Sequence, residues 1–527
     1  MFNAWLWHII GYATTVLITL YVFYWYNKRA FSYWRDQDVP YISPDWVFGS
    51  IRREILRKDT WSSFVIKCYN RFKDQGFGGV YFFRKPVIFI CDPHLIEKVL
   101  IQDFNFFHDR SLIDNGEKLS CSLSQGTGEK WRRMRYKLGP TFTSRKIRGM
   151  YEQILNCSGY ILDRISQHDE KGEPVEVEPL IFLFSTETIA SCSFGLQLLS
   201  DCCEGLEFRR IAELMYDSSP IQLTRVILSM LYPEVFRLFR FKIITQPVTD
   251  FFLRLTKSVI KYRKQYHVKR NDFLQMLLKL KEQEDTDKIS RGVNVNGDEK
   301  QCYSPSKRNL MEEKIFTEEC IASLMYNFFG ASLAPLVVTI SFALFEIASN
   351  PDIQKALLTE IESSTKKHAG WTYEAVMDMT YLDQVIQETL RLYNYNQVLM
   401  RRVTENYTVP GTNLVLKKGM VVHIPVAGLH SDPGHYPSPE LFDPDRFTGN
   451  NYKSSLTFLP FGDGPRICIG IKFAVLTMKV CIARILHDYV IRVDGKMPSP
   501  LVFDPTYVYP KAKGGIWLSC KKTKQNN

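Results

Sequence analysis

The chain has 527 residues, of which 45% are apolar and 23% charged, and its formal net charge is +11 at pH 7. These proportions are typical of a globular protein with a sizeable core and exclude a broadly disordered chain. The basic balance suits an anionic membrane surface or an acidic protein partner, and nucleic acid is discounted because no recognised binding motif accompanies the charge. The 12 cysteines show neither a CxxC pair nor a zinc spacing, so we expect reduced, mostly buried thiols for all but one of them.

The N-terminal apolar run is the first specific feature of the chain. Residues 4–26 comprise 23 residues without a charged side chain, apart from a protonatable His8. A helix of that length crosses a hydrocarbon layer of about 30 Å. Lys28 and Arg29 follow the run closely, whereas no basic side chain precedes it. The positive-inside rule therefore places the rest of the chain in the cytosol.

A cleaved signal peptide is the alternative interpretation of this run, but it needs basic residues before the apolar segment and small residues after it. Trp25 and Tyr26 stand instead where small residues would be required. We therefore predict a transmembrane signal anchor over residues 1–26, a hinge over residues 27–50 and a catalytic domain over residues 51–527.

Secondary-structure patterns follow in chain order. Residues 79–91 are rich in aromatic and β-branched side chains around a turn and predict a β-hairpin. Helical patterns dominate between residues 128 and 280. Residues 281–311 are polar, with hardly any apolar side chain, and are predicted to form an exposed loop.

A long apolar helix is predicted over residues 317–349. Thr317, followed by two glutamates, is typical of a helix start, and Asn350-Pro351 is typical of a stop. Short strands are expected within residues 402–425. The patterns together predict a mainly α fold with small β-sheets.

The most specific motif lies near the C-terminus. Residues 461–470, FGDGPRICIG, match the pattern F-x-x-G-x-R-x-C-x-G, which resembles the haem-binding signature of the cytochrome P450 family. The resemblance implies the fold of that family and a haem b whose iron takes the Cys468 thiolate as axial ligand, which favours O–O bond cleavage. It also implies roles for neighbouring residues: exclusion of water by Phe461, close backbone approach at Gly464 and Gly470, and propionate binding by Arg466.

Two further segments resemble structural elements of the family. Glu388 and Arg391 match E-x-x-R on a helix, and Arg446 lies in a P-x-R-F element. Taken alone, the first two would form a surface i,i+3 pair worth about 0.2–0.5 kcal/mol. The presence of Arg446 favours a buried Glu–Arg–Arg network that braces the cysteine loop and takes no part in the chemistry.

Other positions resemble the family's contacts to haem and to a redox partner. Trp131 and Arg135 share a helix face and match W-x-x-x-R, whose side chains reach the haem propionates. The resemblance also implies a third propionate donor, either Arg402 or its neighbour Arg401. The choice stays open because the local spacing is one residue longer than in relatives. A run of basic residues follows Trp131: Arg132, Arg133, Lys137, Arg145, Lys146 and Arg148. Such a run is commonly just a solvated surface. The alternative is that it forms a docking patch for an acidic reductase.

The long helix departs from the family pattern. Where A-G-x-E/D-T is expected, residues 331–335 read ASLAP. The acid and the alcohol that pass protons during O2 activation are replaced by Ala334 and Pro335, which carry no side-chain proton donor. Pro335 is expected to kink or open the helix. Ser332 and Thr339 are candidate replacements for the hydroxyl, and proton delivery by water or by a substrate hydroxyl is the alternative.

A second departure concerns residues 393–397, YNYNQ, which stand where relatives carry a Tyr-Pro-Pro-like turn. We expect a looser loop beside the substrate pocket. The resemblance runs from the N-terminal run to about residue 520 and is closest to the insect microsomal branch of the family.

The resemblance as a whole implies an oxidoreductase that inserts one oxygen atom of O2 into a lipophilic organic substrate. Electrons would come from NADPH through NADPH–cytochrome P450 reductase, with cytochrome b5 as a second candidate donor. The branch implies an endoplasmic reticulum membrane location with the catalytic domain in the cytosol. Because of Ala334-Pro335, two alternatives stay open: a haem-thiolate isomerase or peroxide rearrangement enzyme, and a haem protein with impaired oxygen activation.

Overall fold

Helices make up most of the molecule. The computed structural model describes residues 2–110, 117–198, 203–216, 219–239, 241–293, 314–450 and 456–523. Within these ranges the α-helices are α1 (Phe2–Ala30), α2 (Arg52–Ile55), α3 (Trp61–Phe72), α4 (Pro93–Glu97), α5 (Gly128–Leu138), α6 (Ser144–Arg148), α7 (Tyr151–Lys171), α8 (Val177–Phe194), α9 (Cys203–Met215), α10 (Pro220–Leu231), α11 (Pro233–Leu238), α12 (Gln246–Gln265), α13 (Phe273–Val293), α14 (Glu318–Ser349), α15 (Pro351–Lys367), α16 (Tyr373–Met377), α17 (Thr380–Leu392), α18 (Val426–His430) and α19 (Ile471–Asp488). The strands are β1 (Phe77–Phe82), β2 (Lys85–Ile90), β3 (Val175–Glu176), β4 (Leu399–Arg402), β5 (Tyr407–Thr408), β6 (Val415–Leu416), β7 (Val421–Ile424), β8 (Tyr489–Val493) and β9 (Trp517–Lys522). The prediction of a mainly α fold with small sheets is confirmed.

The strands of the described residues form three small sheets. Their orders are β1-β2-β7-β4, β3-β9-β8 and β5-β6. Strands β1 and β2 form the predicted antiparallel hairpin, and β7 pairs parallel to β2 and antiparallel to β4. The register places Arg401 opposite Val422 and Arg402 opposite Val421. Because side chains alternate along a strand, the two arginines lie on opposite faces of β4.

Helix α14 runs through the hydrophobic core. Thr317 caps its first turn by accepting a hydrogen bond from the Cys320 N–H (3.1 Å), and Asn350 follows its last residue, as predicted. The helix packs against α8, α12 and α19. By length and mean hydropathy it is the helix among the described residues that would suit a bilayer, but 61% of its apolar window is buried. It is therefore a core helix of the protein.

Helix α1 covers the predicted anchor and extends it to Ala30. Trp5, Tyr12 and Leu17 are 66%, 75% and 66% exposed, so the described rest of the chain leaves these apolar side chains uncovered. A helix surrounded by lipid would have this exposure. Because the hydropathy criterion selects α14 and not α1, the membrane span over residues 1–26 stays a prediction.

Residues 31–50, most of the predicted hinge, are attached to the first sheet. Trp34 is fully buried, and its indole N–H donates to the carbonyl of Val80 (3.1 Å). Gly79 makes room for the indole, since a Cβ there would lie 2.5 Å from the ring. The Gly79 N–H also donates to the carbonyl of Pro40 (2.7 Å). The segment is thus held against β1, and its role as a hinge stays a prediction.

The prediction of an exposed loop over residues 281–311 is wrong for its first part. Helix α13 occupies that part, and the remainder from residue 294 lies outside the described residues. Glu284 is buried, and its carboxylate accepts hydrogen bonds from the backbone N–H groups of residues 315–316 and from Lys137 Nζ. These bonds join α13 to the residues just before α14. The polar composition of the segment does not reveal such tertiary contacts.

Removing residues 2–26 tests the anchor. We expect most of the truncated protein to leave the microsomal pellet, because the exposed apolar side chains of α1 would be lost. Weak peripheral binding is expected to remain, since Trp46 and Phe241 are 51% and 51% exposed elsewhere on the surface. An unrelated single-span anchor fused to residue 27 is the control and should restore retention. Full retention of the truncated protein through carbonate extraction would contradict the prediction.

Candidate active site

The cysteine loop directly precedes α19. The Cys468 N–H donates to the carbonyl of Phe461 (3.0 Å), and the Gly470 N–H donates to the Cys468 sulfur. Gly464 has φ +70°, and a Cβ there would lie 2.0 Å from the carbonyl oxygen of Leu100. A side chain is therefore excluded at Gly464 by both conformation and space. Gly464 lets the loop pack on neighbouring backbone, whereas Gly470 provides a donor to the sulfur.

The Cys468 thiol borders interior space. Its side chain is exposed by accessible area, yet burial is the main effect on its pKa, which is raised. Both statements hold if the accessible surface faces a cleft inside the protein, away from bulk water. The N–H of Gly470 and the charges of Arg110 and Arg135 act in the opposite direction on the pKa and favour the thiolate.

Arg466 binds the backbone of the loop before α5. Its Nε, Nη1 and Nη2 donate to the carbonyls of His108 (2.8 Å), Leu123 (3.0 Å) and Gly126 (2.7 Å). Its guanidinium carbon lies 3.8 Å from the centre of the buried Trp131 ring. Burial and neighbouring positive charges lower the pKa of Arg466 to about 8. Arg466 thus braces this loop, and its contact with a propionate stays a prediction.

Strand β4 directs Arg401 toward the other arginines of the site. Arg401 is 2% exposed, and its Nε has no hydrogen-bond partner within the described residues. Burial and the charge of Arg110 lower the pKa of Arg401 to about 9. Arg402 lies on the other face of β4, where its Nη1 donates to the carbonyl of Gly419 (3.3 Å). Of the two candidates left open by the sequence, Arg401 lies beside Arg110, and the contact of either arginine with a propionate stays a prediction.

Four guanidinium groups, of Arg110, Arg135, Arg401 and Arg466, cluster near the Cys468 thiol. Burial lowers the pKa of each of them. Buried like charges are unfavourable unless an anion lies among them. These groups fit a haem: the sulfur can bind the iron, and the guanidiniums can bind the two propionate carboxylates. Arg110 was not among the residues predicted for the site.

The structure brings Glu388, Arg391 and Arg446 together. The side chains of Glu388 and Arg391 are 0% exposed and form two hydrogen bonds of 2.7 Å. The Nε of Arg446 lies 3.4 Å from the Glu388 carboxylate. Arg391 also donates to the carbonyls of His430 (2.9 Å) and Leu441 (3.2 Å). The buried carboxylate is thus compensated by two guanidiniums.

His430 links this network to the cysteine loop. Its Nδ1 lies 3.1 Å from the carbonyl oxygen of Arg391, and its Nε2 lies 3.0 Å from the N–H nitrogen of Leu459, at the start of the cysteine loop. Burial lowers the pKa of His430 to about 3, so the ring is neutral, with its proton on Nδ1 and an acceptor at Nε2. His430 was not predicted from the sequence, because its partners lie far from it along the chain.

The candidate hydroxyls of α14 have different surroundings. Ser332 Oγ donates to the carbonyl of Phe328 (2.8 Å) in the preceding turn. Thr339 is 1% exposed, and its hydroxyl has no hydrogen-bond partner within the described residues. The assignment of either as the replacement for the family's alcohol stays a prediction.

Pro335 does not interrupt α14, which continues to Ser349. The disturbance expected there is local: the N–H of Ala334 donates to the hydroxyl of Tyr216 (3.2 Å). In a regular helix this N–H would bond the carbonyl of Gly330. The departure from the family pattern thus coincides with a tyrosine hydroxyl that bonds the carbonyl of Gly330 and the N–H of Ala334.

Local contacts hold the loop after α17, residues 393–397. The Asn394 side chain accepts a hydrogen bond from the Asn396 N–H (3.1 Å), and the Tyr393 ring stacks on Phe342 with centroids 4.3 Å apart. Asparagine side chains form such local bonds readily and hold a turn without proline. The expectation that this loop is looser than the Tyr-Pro-Pro-like turn of relatives stays a prediction.

Cys121 and Cys320 form a disulfide with their Cα atoms 5.4 Å apart. The expectation that every cysteine except Cys468 is a reduced thiol is wrong for this pair. The two cysteines are 199 residues apart in sequence, so spacing carries no signal of the bond. It joins the segment before α5 to the first turn of α14. Free thiols are found at Cys68, Cys91, Cys157, Cys192, Cys468, Cys481 and Cys520.

Fold and site together define a haem-thiolate enzyme. The family model for cytochrome P450 matches residues 40–516. The chain is 33% identical to cytochrome P450 6a9 of Drosophila melanogaster over 505 residues, covering 94% of this chain and 95% of that relative. It is 30% identical to cytochrome P450 6B7 of Helicoverpa armigera over 519 residues (97% and 98%) and 30% identical to cytochrome P450 6B1 of Papilio polyxenes over 501 residues (94% and 96%). The chain belongs to the cytochrome P450 family and is an oxidoreductase of the haem monooxygenase type.

Replacing Glu388 with alanine should prevent assembly of the site. The change leaves buried Arg391 without its carboxylate, and breaking such a pair costs about 3–5 kcal/mol. We expect little soluble protein and little haem incorporation, measured by the haem-to-protein ratio after purification. The matched control is Asp378→Ala, which removes an exposed ion pair with Lys367 (2.7 Å) and should leave haem content unchanged. Normal haem loading in Glu388→Ala would show that the network does not support the cysteine loop.

Replacing Cys468 with alanine should abolish the red-shifted Soret band of the reduced, CO-bound protein. The shift requires a thiolate ligand, and Cys468 is the cysteine whose sulfur borders the arginines. Cys481→Ala, a fully buried thiol in α19, is the control and should keep the band. An unchanged spectrum in Cys468→Ala would refute the ligand assignment.

Proposed function

We propose that this protein is an NADPH-supported monooxygenase that inserts one oxygen atom of O2 into a lipophilic organic substrate. Its electrons come through NADPH–cytochrome P450 reductase, with cytochrome b5 as a second donor. The observation that carries the proposal is the Cys468 thiol, which borders interior space beside buried guanidinium groups. In the balanced reaction, the second oxygen atom leaves as water with two protons and the two electrons of NADPH.

The chain's own residues would hold the cofactor and favour a charged sulfur. Haem, when bound, supplies the activation of O2. Cys468 would ligate its iron, and the Gly470 N–H with the charges of Arg110 and Arg135 would favour the thiolate against the effect of burial, which raises the pKa of the thiol. Arg110 and Arg401 are the groups that we assign to the propionates. Neutralising those carboxylates would in turn relieve the repulsion among the arginines.

The interior near α14 suits an apolar substrate. The rings of Tyr395 and Tyr509 lie 5.1 Å apart. Tyr395 is half-buried by accessible area, yet burial raises its pKa to about 12, so its accessible face borders interior space. Neutral aromatic faces with a few hydroxyl groups are typical of pockets for lipophilic compounds.

A basic surface beside the cysteine loop supports the assignment of an acidic redox partner. Lys472, in the first turn of α19, donates from Nζ to the hydroxyl of Ser144 (2.9 Å), which places α6 next to the residues that follow Cys468. Arg145 and Lys146 of α6 are exposed there. Two members of the predicted patch contribute less, because Lys137 pairs with Glu284 (2.6 Å) and Arg148 pairs with Glu374 (2.5 Å). We therefore place the docking centre at Arg145 and Lys146.

We also place the protein in the endoplasmic reticulum membrane with residues 51–527 facing the cytosol. The support is the uncharged run over residues 4–26, the exposed side chains of α1, and the basic residues that follow the run. A cytosolic orientation also brings α6 to the side on which a microsomal reductase would be found.

A second candidate function rests on Ala334-Pro335, where the side chains that pass protons are absent. A haem-thiolate isomerase or peroxide rearrangement enzyme needs no external electrons. The two functions are separated by assaying one set of lipophilic substrates with NADPH and purified reductase, and again with an organic hydroperoxide alone. NADPH-dependent product supports the monooxygenase. Product formed with hydroperoxide and never with NADPH would overturn it in favour of the second function.

Charge reversal tests the docking surface. Arg145→Glu with Lys146→Glu should raise the reductase concentration needed for half-maximal turnover by roughly tenfold, because both charges face an acidic partner. Hydroperoxide-driven turnover should not change. Lys257→Glu with Lys261→Glu, two exposed lysines of α12, is the matched control with the same change in net charge. If the control weakens reductase coupling equally, overall charge and not this surface is responsible.

A further inference from the structure

The hydroxyl of Tyr216 lies within the backbone hydrogen-bond pattern of α14. Tyr216 directly follows α9, and its hydroxyl donates to the carbonyl of Gly330 (2.5 Å) and accepts from the N–H of Ala334 (3.2 Å). These two backbone groups are an i, i+4 pair that bond each other in a regular α-helix. The phenol hydroxyl therefore bonds both members of a pair that bond each other in a regular turn.

Two features of this turn admit the phenol. Pro335 has no N–H and crowds the carbonyl of Ala331, which loosens the turn. Gly330 has no side chain, and a Cβ there would lie 2.9 Å from the terminal methyl of Met215. The end of α9 can therefore approach α14 closely at the point where the helix is weakened.

The same part of α14 approaches the cysteine loop. The ring of Phe328 lies 5.4 Å from that of Phe473, which is in the first turn of α19 after Cys468. Ser332 is one helical turn beyond Phe328 and bonds its carbonyl. The Tyr216 hydroxyl thus bonds α14 within two turns of Phe328, the residue whose ring contacts α19.

We propose that Tyr216 is a positioning residue that takes over, in this chain, the water-holding role of the family's acid–alcohol pair. This inference rests on the monooxygenase function proposed above. A phenol oxygen has one proton and two acceptor positions. The proton is donated to Gly330, one acceptor position takes the Ala334 N–H, and the other accepts a hydrogen bond from water. The water is held at a turn where Ala334 and Pro335 have no donor of their own.

Tyr216 holds this water without releasing its own proton. Burial raises the pKa of Tyr216 well above its ordinary value, so the phenol keeps its proton at neutral pH. Protons pass through the water, which receives a replacement from solvent for each one given up. Ser332, whose hydroxyl already donates within the helix, has the secondary role.

The first test is Tyr216→Phe, which keeps the ring and removes the hydroxyl. Amide hydrogen exchange of the peptide that contains Ala334 should become roughly tenfold faster in the resting protein, because its N–H loses a partner. With 7-ethoxycoumarin as the probe, hydrogen peroxide released per NADPH should rise about threefold or more, since fewer protons arrive in time. The concentration for half-maximal spin-state shift by the probe should stay within about twofold. Tyr326→Phe, a buried tyrosine of α14, is the matched control and should change none of these.

The second test separates water positioning from packing. Ala334→Glu with Pro335→Thr restores the family's acid and alcohol, and in that background Tyr216→Phe should change peroxide release by less than about twofold. An equal effect of Tyr216→Phe in both backgrounds would mean that the hydroxyl acts through packing, which overturns the proposal. Unchanged amide exchange and unchanged peroxide release in the natural background would overturn it as well.

Failure of the proposed monooxygenase function would give a different experimental result from failure of the Tyr216 proposal. If the unaltered protein consumes no NADPH with reductase, the monooxygenase assignment fails and the role of Tyr216 in proton delivery falls with it. The amide-exchange measurement needs no turnover and still reports whether the hydroxyl occupies the turn. An unchanged exchange rate in an active enzyme would instead reject Tyr216 alone.

Discussion

The burial of positive charge around one cysteine is the constraint on which the rest of this structure depends. Burial lowers the pKa of Arg466 to about 8 and of Arg401 to about 9, and it raises the pKa of the Cys468 thiol. Each of these groups is unfavourable in isolation. Their mutual arrangement becomes favourable when a thiolate and bound carboxylates balance the guanidiniums. Much of the surrounding architecture serves to hold them in place against this repulsion.

The supporting network illustrates how this is done. The Glu388 carboxylate balances the charge of Arg391 and fixes its position. The carbonyl of Arg391 bonds His430, and His430 in turn bonds the backbone N–H of Leu459. A neutral His430 is needed, because a protonated ring would lose its acceptor for the Leu459 N–H. The pKa lowered to about 3 keeps the ring neutral at physiological pH. A fully buried ion pair thus contributes a fixed position for the loop that carries Cys468.

Residues fixed by local patterns were predictable from the sequence. The cysteine loop, the E-x-x-R helix, and the ends of α14 at Thr317 and Asn350 carry signals within a few residues. Residues whose roles depend on tertiary packing were not. Arg401 was separated from Arg402 only by the alternation of β4, since a shift of one residue reverses the face of a strand. Tyr216 contacts Ala334 across 118 residues of sequence, and no spacing rule connects them.

Pro335 and Tyr216 are best understood as one structural change. A proline inside a helix costs about 3 kcal/mol, chiefly through a lost hydrogen bond and steric crowding. In a buried helix, an unsatisfied backbone group costs a further 1–3 kcal/mol or so. The group that loses its helical donor at Pro335 is the carbonyl of Ala331. The Tyr216 hydroxyl bonds the neighbouring pair, donating to the carbonyl of Gly330 and accepting from the N–H of Ala334. Tyr216 therefore brings a hydroxyl to the turn that the proline loosens, where the family's alcohol is absent.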